Sequence, residues 1–388
     1  MSLLWLRWAI LGAATLPFLS YFLIIFAARS FFRRHRAAPR DFTPPASLLK
    51  PVRGLDREAY ENFASFCRQD YPQYEILFAV TDAQDAAVPV IRQLIADFPG
   101  LPIRLIVSAE RIGSNDKINK VCGLARAARH DLLVLSDADI RVGPGYLRSL
   151  AAPFRDPTVG AVTSLFTGIA VRSLWPELEA IFFSTDFMPA ILMARQLEGV
   201  HFALGATVAV TRASLAEIGG FEAITDEAAD DYELGSRIAA RGYRVELVDA
   251  AVKTWCSLSN LQEFFIQRLR WDIMARQSRP LGYAGLVFTQ GLPWTILAVM
   301  LAPTHLLAGG FVAAYLILRM TVVCTMGVWG LRDDLLKRRW WLVPLWDAFA
   351  FVLWFISLFW NRVRWRDAEY RVAGGRLIPV DSHTEKQA

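Results

Sequence analysis

Hydrophobic and polar positions divide the chain into apolar ends and a patterned middle. Residues 8–28, WAILGAATLPFLSYFLIIFAA, carry no formal charge. As a helix this run can cross a hydrocarbon core of about 30 Å. Its apolar core is too long for a cleaved signal peptide, and Arg29, Arg33, Arg34, Arg36 and Arg40 follow at once. It therefore reads as a transmembrane helix with those arginines on the cytoplasmic side. The second apolar region, 281–360, has no charge from Leu281 to Leu318 and stays apolar to Leu331, enough for two spans with a break near Pro303-Thr304. A net-basic stretch, Arg332 to Arg339, precedes the last apolar run, Trp340–Trp360. Arg319 and Asp347 interrupt this region, where an unpaired charge costs about 2.5–3.5 kcal/mol on insertion scales. The last run also has basic residues on both flanks (Arg338 and Arg339; Arg362, Arg364 and Arg366). It is expected as a span or a re-entrant piece, for three or four spans in all.

In the middle, short β-rich runs alternate with amphipathic segments. The candidate strands are Ser47–Lys50, Glu75–Thr81, Ile103–Val107, Leu132–Ser136, Ala161–Phe166, Thr207–Thr211 and Val245–Val248. Asp85–Phe98 and Asn115–Ala128 carry apolar residues at helical spacing. Such alternation predicts an α/β domain over 47–255 with a mostly parallel sheet covered by helices. Residues 29–46 form a basic, proline-bearing linker (Pro39, Pro44, Pro45), and 361–388 a basic tail. Phe187–Val210 is apolar but holds Arg195, Glu198 and His201, so it is expected in the wall of an acceptor site rather than across a membrane.

Composition adds exclusions. The hydrophobic fraction of 54% exceeds the soluble norm of roughly 45–50%, through the two ends. A net charge of +5 with arginine concentrated beside apolar runs fits anionic lipid heads; no groove-reading or base-stacking motif points to nucleic acid. Cys67, Cys122, Cys256 and Cys324 are dispersed, without a zinc or disulfide pattern. The histidines form no metal pattern, and there is no G-x-S-x-G, Walker-type loop or nicotinamide fingerprint.

The chemistry lies in a series of carboxylates. Asp82 follows a predicted strand, where it can meet a nucleotide base or ribose; alone, it is better explained as a helix-capping turn residue. Asp137-Ala138-Asp139 also follows a strand. Carboxylates at this spacing can hold a hard divalent cation, Mg or Mn, that shares the phosphates of a nucleotide. Asp230-Asp231 opens a helical pattern; favourable placement at a helix N-terminus suffices for Asp230, while Asp231 is the candidate general base. Lys117 is a candidate donor contact or simply a surface helix residue. Residues 256–280 form an interfacial amphipathic segment: Leu261, Phe264, Phe265 and Leu269 give the apolar side, and Arg268, Arg270 and Arg276 the basic one. In its Gln267-x-x-Arg270-Trp271 cluster, Arg270 can neutralise a departing diphosphate and Trp271 offers a flat face to an acceptor.

Several stretches resemble the ceramide glucosyltransferase family of membrane-bound glycosyltransferases. They are Lys50–Asp56, Asp70–Glu75, Lys117–Asn119, Asp131–Arg141, Glu227–Gly242, Ser259–Trp271, Trp365-Arg366 and Tyr370-Arg371, in that order. The resemblance implies a GT-A domain facing the cytosol, a UDP-sugar donor (UDP-glucose or UDP-N-acetylhexosamine), a lipid acceptor and inversion at the anomeric carbon. It places Asp82, Asp137, Asp231, Gln267, Arg270 and Trp271 in the functional positions. Animal members have glycine where Asp139 stands and a histidine near Phe187. Alanine- and arginine-rich composition points to a bacterial source and an inner-membrane location, where a hopanoid polyol is an alternative acceptor to ceramide. A processive polysaccharide synthase shares Gln-x-x-Arg-Trp but has more spans. A silent membrane scaffold would have no use for the acidic series.

Overall fold

A computed structural model describes residues 2–36, 40–365, 368–373 and 376–379. Pro39 of the linker, and Arg366 and the end of the tail with His383, lie outside the described residues. The chain forms two compact units, a sheet unit of His35–Ile169, Gly199–Ser257 and Ala368–Ala388, and a helical unit of Met1–Arg34, Ala170–Glu198 and Leu258–Asp367.

The sheet unit holds β1 (Ala46–Pro51), β2 (Tyr74–Val80), β3 (Ile103–Val107), β4 (Leu132–Ser136), β5 (Ile140–Arg141), β6 (Val159–Ala170), β7 (Thr207–Thr211) and β8 (Arg244–Cys256). Their order in the eight-stranded sheet is β3-β2-β1-β4-β7-β6-β8-β5. β1 pairs parallel with β2 and β4, and β2 with β3. Parallel neighbours need crossovers, supplied between β1, β2 and β3 by helices Ala59–Cys67 and Ala87–Asp97. β1, β2 and β4 are buried along their whole length, as the near-continuous apolar runs of a sheet covered on both faces require. Helices Asp116–Ala127 and Asp230–Ala240 pack Ile118, Val121, Leu234 and Ile238 into one core with Leu77, Leu133 and Leu135. The expected fold class stands, with an antiparallel half: β7 pairs antiparallel with β4 and β6, and β5 with β8. β5 has two residues and β6 and β8 extend well beyond their apolar centres, so alternation alone did not delimit them.

In the helical unit, Leu4–His35, His305–Gly330 and Asp334–Ser357 are long and apolar enough to cross a membrane. A bent pair, Pro280–Thr289 and Gly291–Leu301, meeting at 52°, is a fourth candidate. The break anticipated near Pro303-Thr304 is a helix boundary, where Thr304 Oγ1 accepts from Leu307 N at 3.2 Å. Phe187–Val210 ends a helix in the helical unit at Glu198 and then supplies β7 of the sheet unit.

Arg319 and Asp347 are both buried and satisfy each other. Arg319 Nη2 reaches Asp347 Oδ1 at 2.5 Å and its Nε reaches Oδ2 at 3.0 Å. Arg319 also donates to the Thr185 carbonyl at 2.7 Å and to Asp186 Oδ1 at 2.9 Å, while Tyr315 donates to Asp347 Oδ2 at 2.7 Å. This bidentate pairing relieves the cost that either charge would carry alone in an apolar setting.

Candidate active site

Asp82 and the pair Asp137 and Asp139 follow the carboxyl ends of parallel β2 and β4, where an open α/β sheet presents its ligand crevice, and Asp230 and Asp231 open a helix. Asp82 stands exposed just beyond β2, and its Oδ1 accepts from Gln84 N at 2.9 Å. It thus makes the turn that its sequence position also allowed. Among the described residues it makes no hydrogen bond or ion pair to the rest of the series.

Asp137 and Asp230 converge on Lys117. Asn115 caps the helix Asp116–Ala127 by accepting from Lys117 N at 3.1 Å and Ile118 N at 3.3 Å. Its own backbone N donates to the Thr225 carbonyl at 2.7 Å, and its Nδ2 to the Glu227 carbonyl at 3.0 Å. Asn119 Oδ1 holds the preceding loop through Ile112 N and Gly113 N. A Cβ on Gly113 would lie 2.6 Å from Thr225, so only glycine permits this approach. These bonds stitch the start of the Lys117 helix to the segment leading into Asp230. Lys117 Nζ then lies 2.9 Å from both Asp137 Oδ1 and Asp230 Oδ2. Burial would lower the Lys117 pKa, but Asp137, Asp230 and Asp231 outweigh it and hold the ammonium well above its usual range. Lys117 is therefore a fixed cation, and the surface-residue alternative falls away.

Asp231 occupies the first turn of the helix Asp230–Ala240. Its pKa is pushed up to about 7 by burial and then by the charge of Asp230, against the pull of Lys117. Two glycines let it sit there. A Cβ on Gly205 would come within 3.1 Å of Asp231 Oδ2, and one on Gly235 within 2.3 Å of the Ala203 backbone N. The helix thus lies directly against the Phe202–Gly205 backbone.

Asp137 and Asp139 follow β4. Asp139 Oδ2 accepts from Thr254 Oγ1 on β8 at 2.7 Å. Its pKa is pushed up to about 6 by burial and by the neighbouring Asp137 charge. Beneath them runs Lys50, the last charged residue of apolar β1, whose Nζ donates to the Asp137 carbonyl and over to Ser136 Oγ at 3.4 Å. Burial brings the Lys50 pKa down to about 7, opposed by Asp137 and Asp139. Sequence reasoning passed over Lys50; a lysine completing an apolar strand was the available signal.

Among the described residues, no group of three or more His, Cys, Asp or Glu is placed to hold a metal unaided. Asp137 and Asp139 nevertheless fit a divalent cation. They supply anionic oxygens from a site where burial and the Asp137 charge already penalise ionisation of Asp139, and donor phosphates complete such a shell.

In the helical unit, Gln267, Arg270 and Trp271 lie on the helix Leu261–Ser278, capped by Asn260 Oδ1 accepting from Glu263 N at 2.9 Å. Gln267 Nε2 donates to buried Glu179 Oε1 at 2.5 Å. Trp271 packs in an aromatic cluster, its ring centroid 5.2 Å from Phe183 and 6.2 Å from both Phe182 and Phe187. Arg270 is half-buried. One expectation is corrected here: Arg268 does not belong to a basic outer face. It is buried, lies 3.4 Å above the Phe182 ring and pairs with Asp272 at 2.9 Å. Cation–π stacking and the i,i+4 carboxylate replace water around it.

Curled α/β sheet, carboxylates at the strand ends and apolar helices define a glycosyltransferase of the GT-A type. A mannosyltransferase from Pyrobaculum calidifontis, solved with GDP-Man and Mn2+, shares the fold with a TM-score of 0.53 at 19% identity, over 92% of this chain and 99% of that one. Residues 10–378 match the model of glycosyl transferase family 21, and the chain belongs to that family. It is 29% identical over 243 residues to ceramide glucosyltransferase 1 of Caenorhabditis elegans, covering 61% of this chain and 51% of the worm protein. Against ceramide glucosyltransferase 3 of the same worm, identity is 27% over 250 residues, 64% of this chain and 54% of that protein. The chain thus spans about half the length of the curated relatives it matches.

Proposed function

We propose that this protein transfers a sugar, glucose or an N-acetylhexosamine, from a UDP-sugar to a hydroxyl of a membrane lipid, with inversion at the anomeric carbon. The observation that carries this reading is the convergence of Asp137 and Asp230 on one fixed ammonium, beside an Asp231 whose pKa is pushed up to about 7. A carboxylate with a pKa near the working pH is well matched to general-base catalysis.

In this mechanism the lipid hydroxyl oxygen attacks the anomeric carbon, the bond from that carbon to the UDP oxygen breaks, and Asp231 takes the hydroxyl proton. UDP leaves with the bonding electron pair. Lys117 holds Asp137 and Asp230 in place and supplies positive charge beside the phosphates, and Arg270 offsets the charge of departing UDP. Asp82 binds the nucleoside end of the donor, and Trp271 provides a flat apolar contact for the acceptor. Asp137 and Asp139 are the residues that would hold Mg or Mn, which when bound neutralises diphosphate charge. The acceptor is a lipid of the ceramide kind, or a hopanoid polyol offering the same hydroxyl chemistry.

Purified protein incubated with UDP-glucose or UDP-N-acetylglucosamine and either lipid, followed by mass analysis of the lipid fraction, tests the reading. One added sugar per lipid is the expected product. A polymer, or unchanged lipid with every donor, would overturn it.

A further inference from the structure

We propose that Lys50 is a positioning residue that pins the backbone at Ser136-Asp137 from beneath, so that Asp137 and Asp139 are held ready for a divalent cation. This rests on the reading of those two aspartates as the cation's holders. β1 pairs with β4 as far as Leu49 and Leu135, so Lys50 lies beside the residues that end this ladder, Ser136 and Asp137. Its side chain is buried, and its Nζ donates to the Asp137 carbonyl and to Ser136 Oγ, the latter at 3.4 Å. The same nitrogen lies 3.8 Å from the ring centroid of Phe66, on the helix Ala59–Cys67. Two oxygens and a ring face give each of the three N–H groups of an ammonium a partner. The amine serves in either protonation state, because its neutral form keeps two N–H groups for the two oxygens.

The turn is anchored separately at its far end. There Asp139 Oδ2 accepts from Thr254 Oγ1 at 2.7 Å, and Ile140 pairs with Thr254 in the β5–β8 ladder. At the near end Asp137 N donates to the Ala206 carbonyl over a long 3.4 Å, which leaves the Lys50 bond as the firmer restraint. A buried amine is a costly way to fill an apolar strand. Leu48, two residues earlier and so on the same face, fills its place without that cost.

Lys50→Met is the test, since it keeps an unbranched stem and removes the donors. Neither oxygen is stranded: the Asp137 carbonyl keeps Ile140 N at 3.4 Å, and Ser136 Oγ keeps the Ala206 carbonyl at 3.2 Å. A thioether also packs well on the Phe66 ring. The variant should fold, with UDP affinity in EDTA unaltered. Hydrogen exchange read by mass spectrometry should quicken by roughly tenfold across residues 136–140, the loss of one restraint, and stay unchanged in β2 and β3. Mn2+ binding at a fixed UDP concentration, followed by the EPR signal of free Mn2+ and corrected for Mn2+ held by UDP alone, should weaken by a similar factor. Its sign separates position from charge. A lysine acting only by its charge would repel the metal, so its loss would tighten Mn2+ binding. Tighter or unchanged Mn2+ binding, or unchanged exchange, would overturn the assignment. Should Lys50→Met not fold, Phe66→Leu, which keeps Lys50 and removes the ring that aims its amine, should produce the same two changes, and their absence would overturn it equally. If wild-type protein binds no Mn2+, the cation reading fails, and exchange across 136–140 still decides whether Lys50 pins the turn.

Discussion

At the residue scale, the decisive contrast is between Asp230 and Asp231, adjacent in sequence and opposite in circumstance. Asp230 holds Lys117 at 2.9 Å, whereas burial and Asp230 itself push Asp231 up to about 7. Asp231→Asn keeps the volume but cannot accept a proton. Transfer should fall roughly 10²–10⁴-fold with UDP binding retained, and titration calorimetry with UDP alongside the transfer assay checks both. Wild-type kcat/KM should rise with pH through about 7 and lose that limb in the variant. Stability should move the other way. A carboxyl whose folded pKa lies above its unfolded 3.8 contributes stability that is complete below that value and lost as pH rises through about 7. Asp231→Asn should therefore raise the unfolding midpoint at pH 8 and leave it unchanged near pH 4. For Asp139→Ala we expect severe loss of activity with an unchanged midpoint. Full wild-type turnover in excess EDTA would remove the cation from the mechanism. The acidic series was legible because each member follows an apolar run, as Asp82 and Asp137 do, or opens a helical pattern, as Asp230 and Asp231 do. Lys50, Glu179 and the burial of Arg268 were not, since each depends on a partner far away in sequence: Asp137, Gln267 and Phe182.

Elements were legible where their pattern is local. β1, β2, β3 and β4 are fully or partly buried strands that follow their β-rich runs closely. The helix Asp116–Ala127 begins at the Asn115 cap its sequence supplies. The antiparallel half was hidden because β6 and β8 alternate weakly and β5 is too short to show a period. The helical stretch 174–198 was obscured for another reason: its buried glutamates and Asp186 look like a polar surface until their partners are known. The Arg319 network makes a prediction at this scale. Arg319→Leu strands Asp347, 8% exposed, without its cation. Removal of one partner from a buried pair costs about 3–5 kcal/mol, whereas replacing both by apolar groups is often near neutral. The unfolding midpoint should fall for Arg319→Leu and recover substantially in Arg319→Leu/Asp347→Leu. If both variants unfold alike, the pair is not what holds these helices.

At the scale of the whole chain, length and hydropathy count Asp334–Ser357 among the helices able to span, yet its packing argues otherwise. Val343–Ser357 runs alongside Leu261–Ser278 from end to end. Phe264 meets Trp346 and Phe349 at 6.4 and 6.0 Å; twelve residues later, Arg276 Nη1 donates to the Ser357 and Leu358 carbonyls at 2.5 and 2.6 Å. Leu261–Ser278 carries Glu263, Arg268, Arg270, Asp272 and Arg276 and cannot cross a bilayer. A helix packed lengthwise against it lies at the same depth. The outer face of Val343–Ser357 continues this logic. Leu345, Val352 and Phe355, with Trp341 before and Phe359 after, are exposed at helical spacing, the arrangement of a helix lying in the interface. We therefore predict that Asp334–Ser357 does not cross, so that its two basic flanks are both cytoplasmic, which reconciles them with the positive-inside rule. Arg332–Arg339 then returns to the cytoplasm only if the bent pair Pro280–Leu301 and the helix His305–Gly330 both cross. In a Cys324→Ser background, His305→Cys should react with a membrane-impermeant maleimide in intact cells. Arg338→Cys and Asn361→Cys should react only after permeabilisation. Labelling of Asn361→Cys while Arg338→Cys stays protected would make Asp334–Ser357 a true span and place the tail outside.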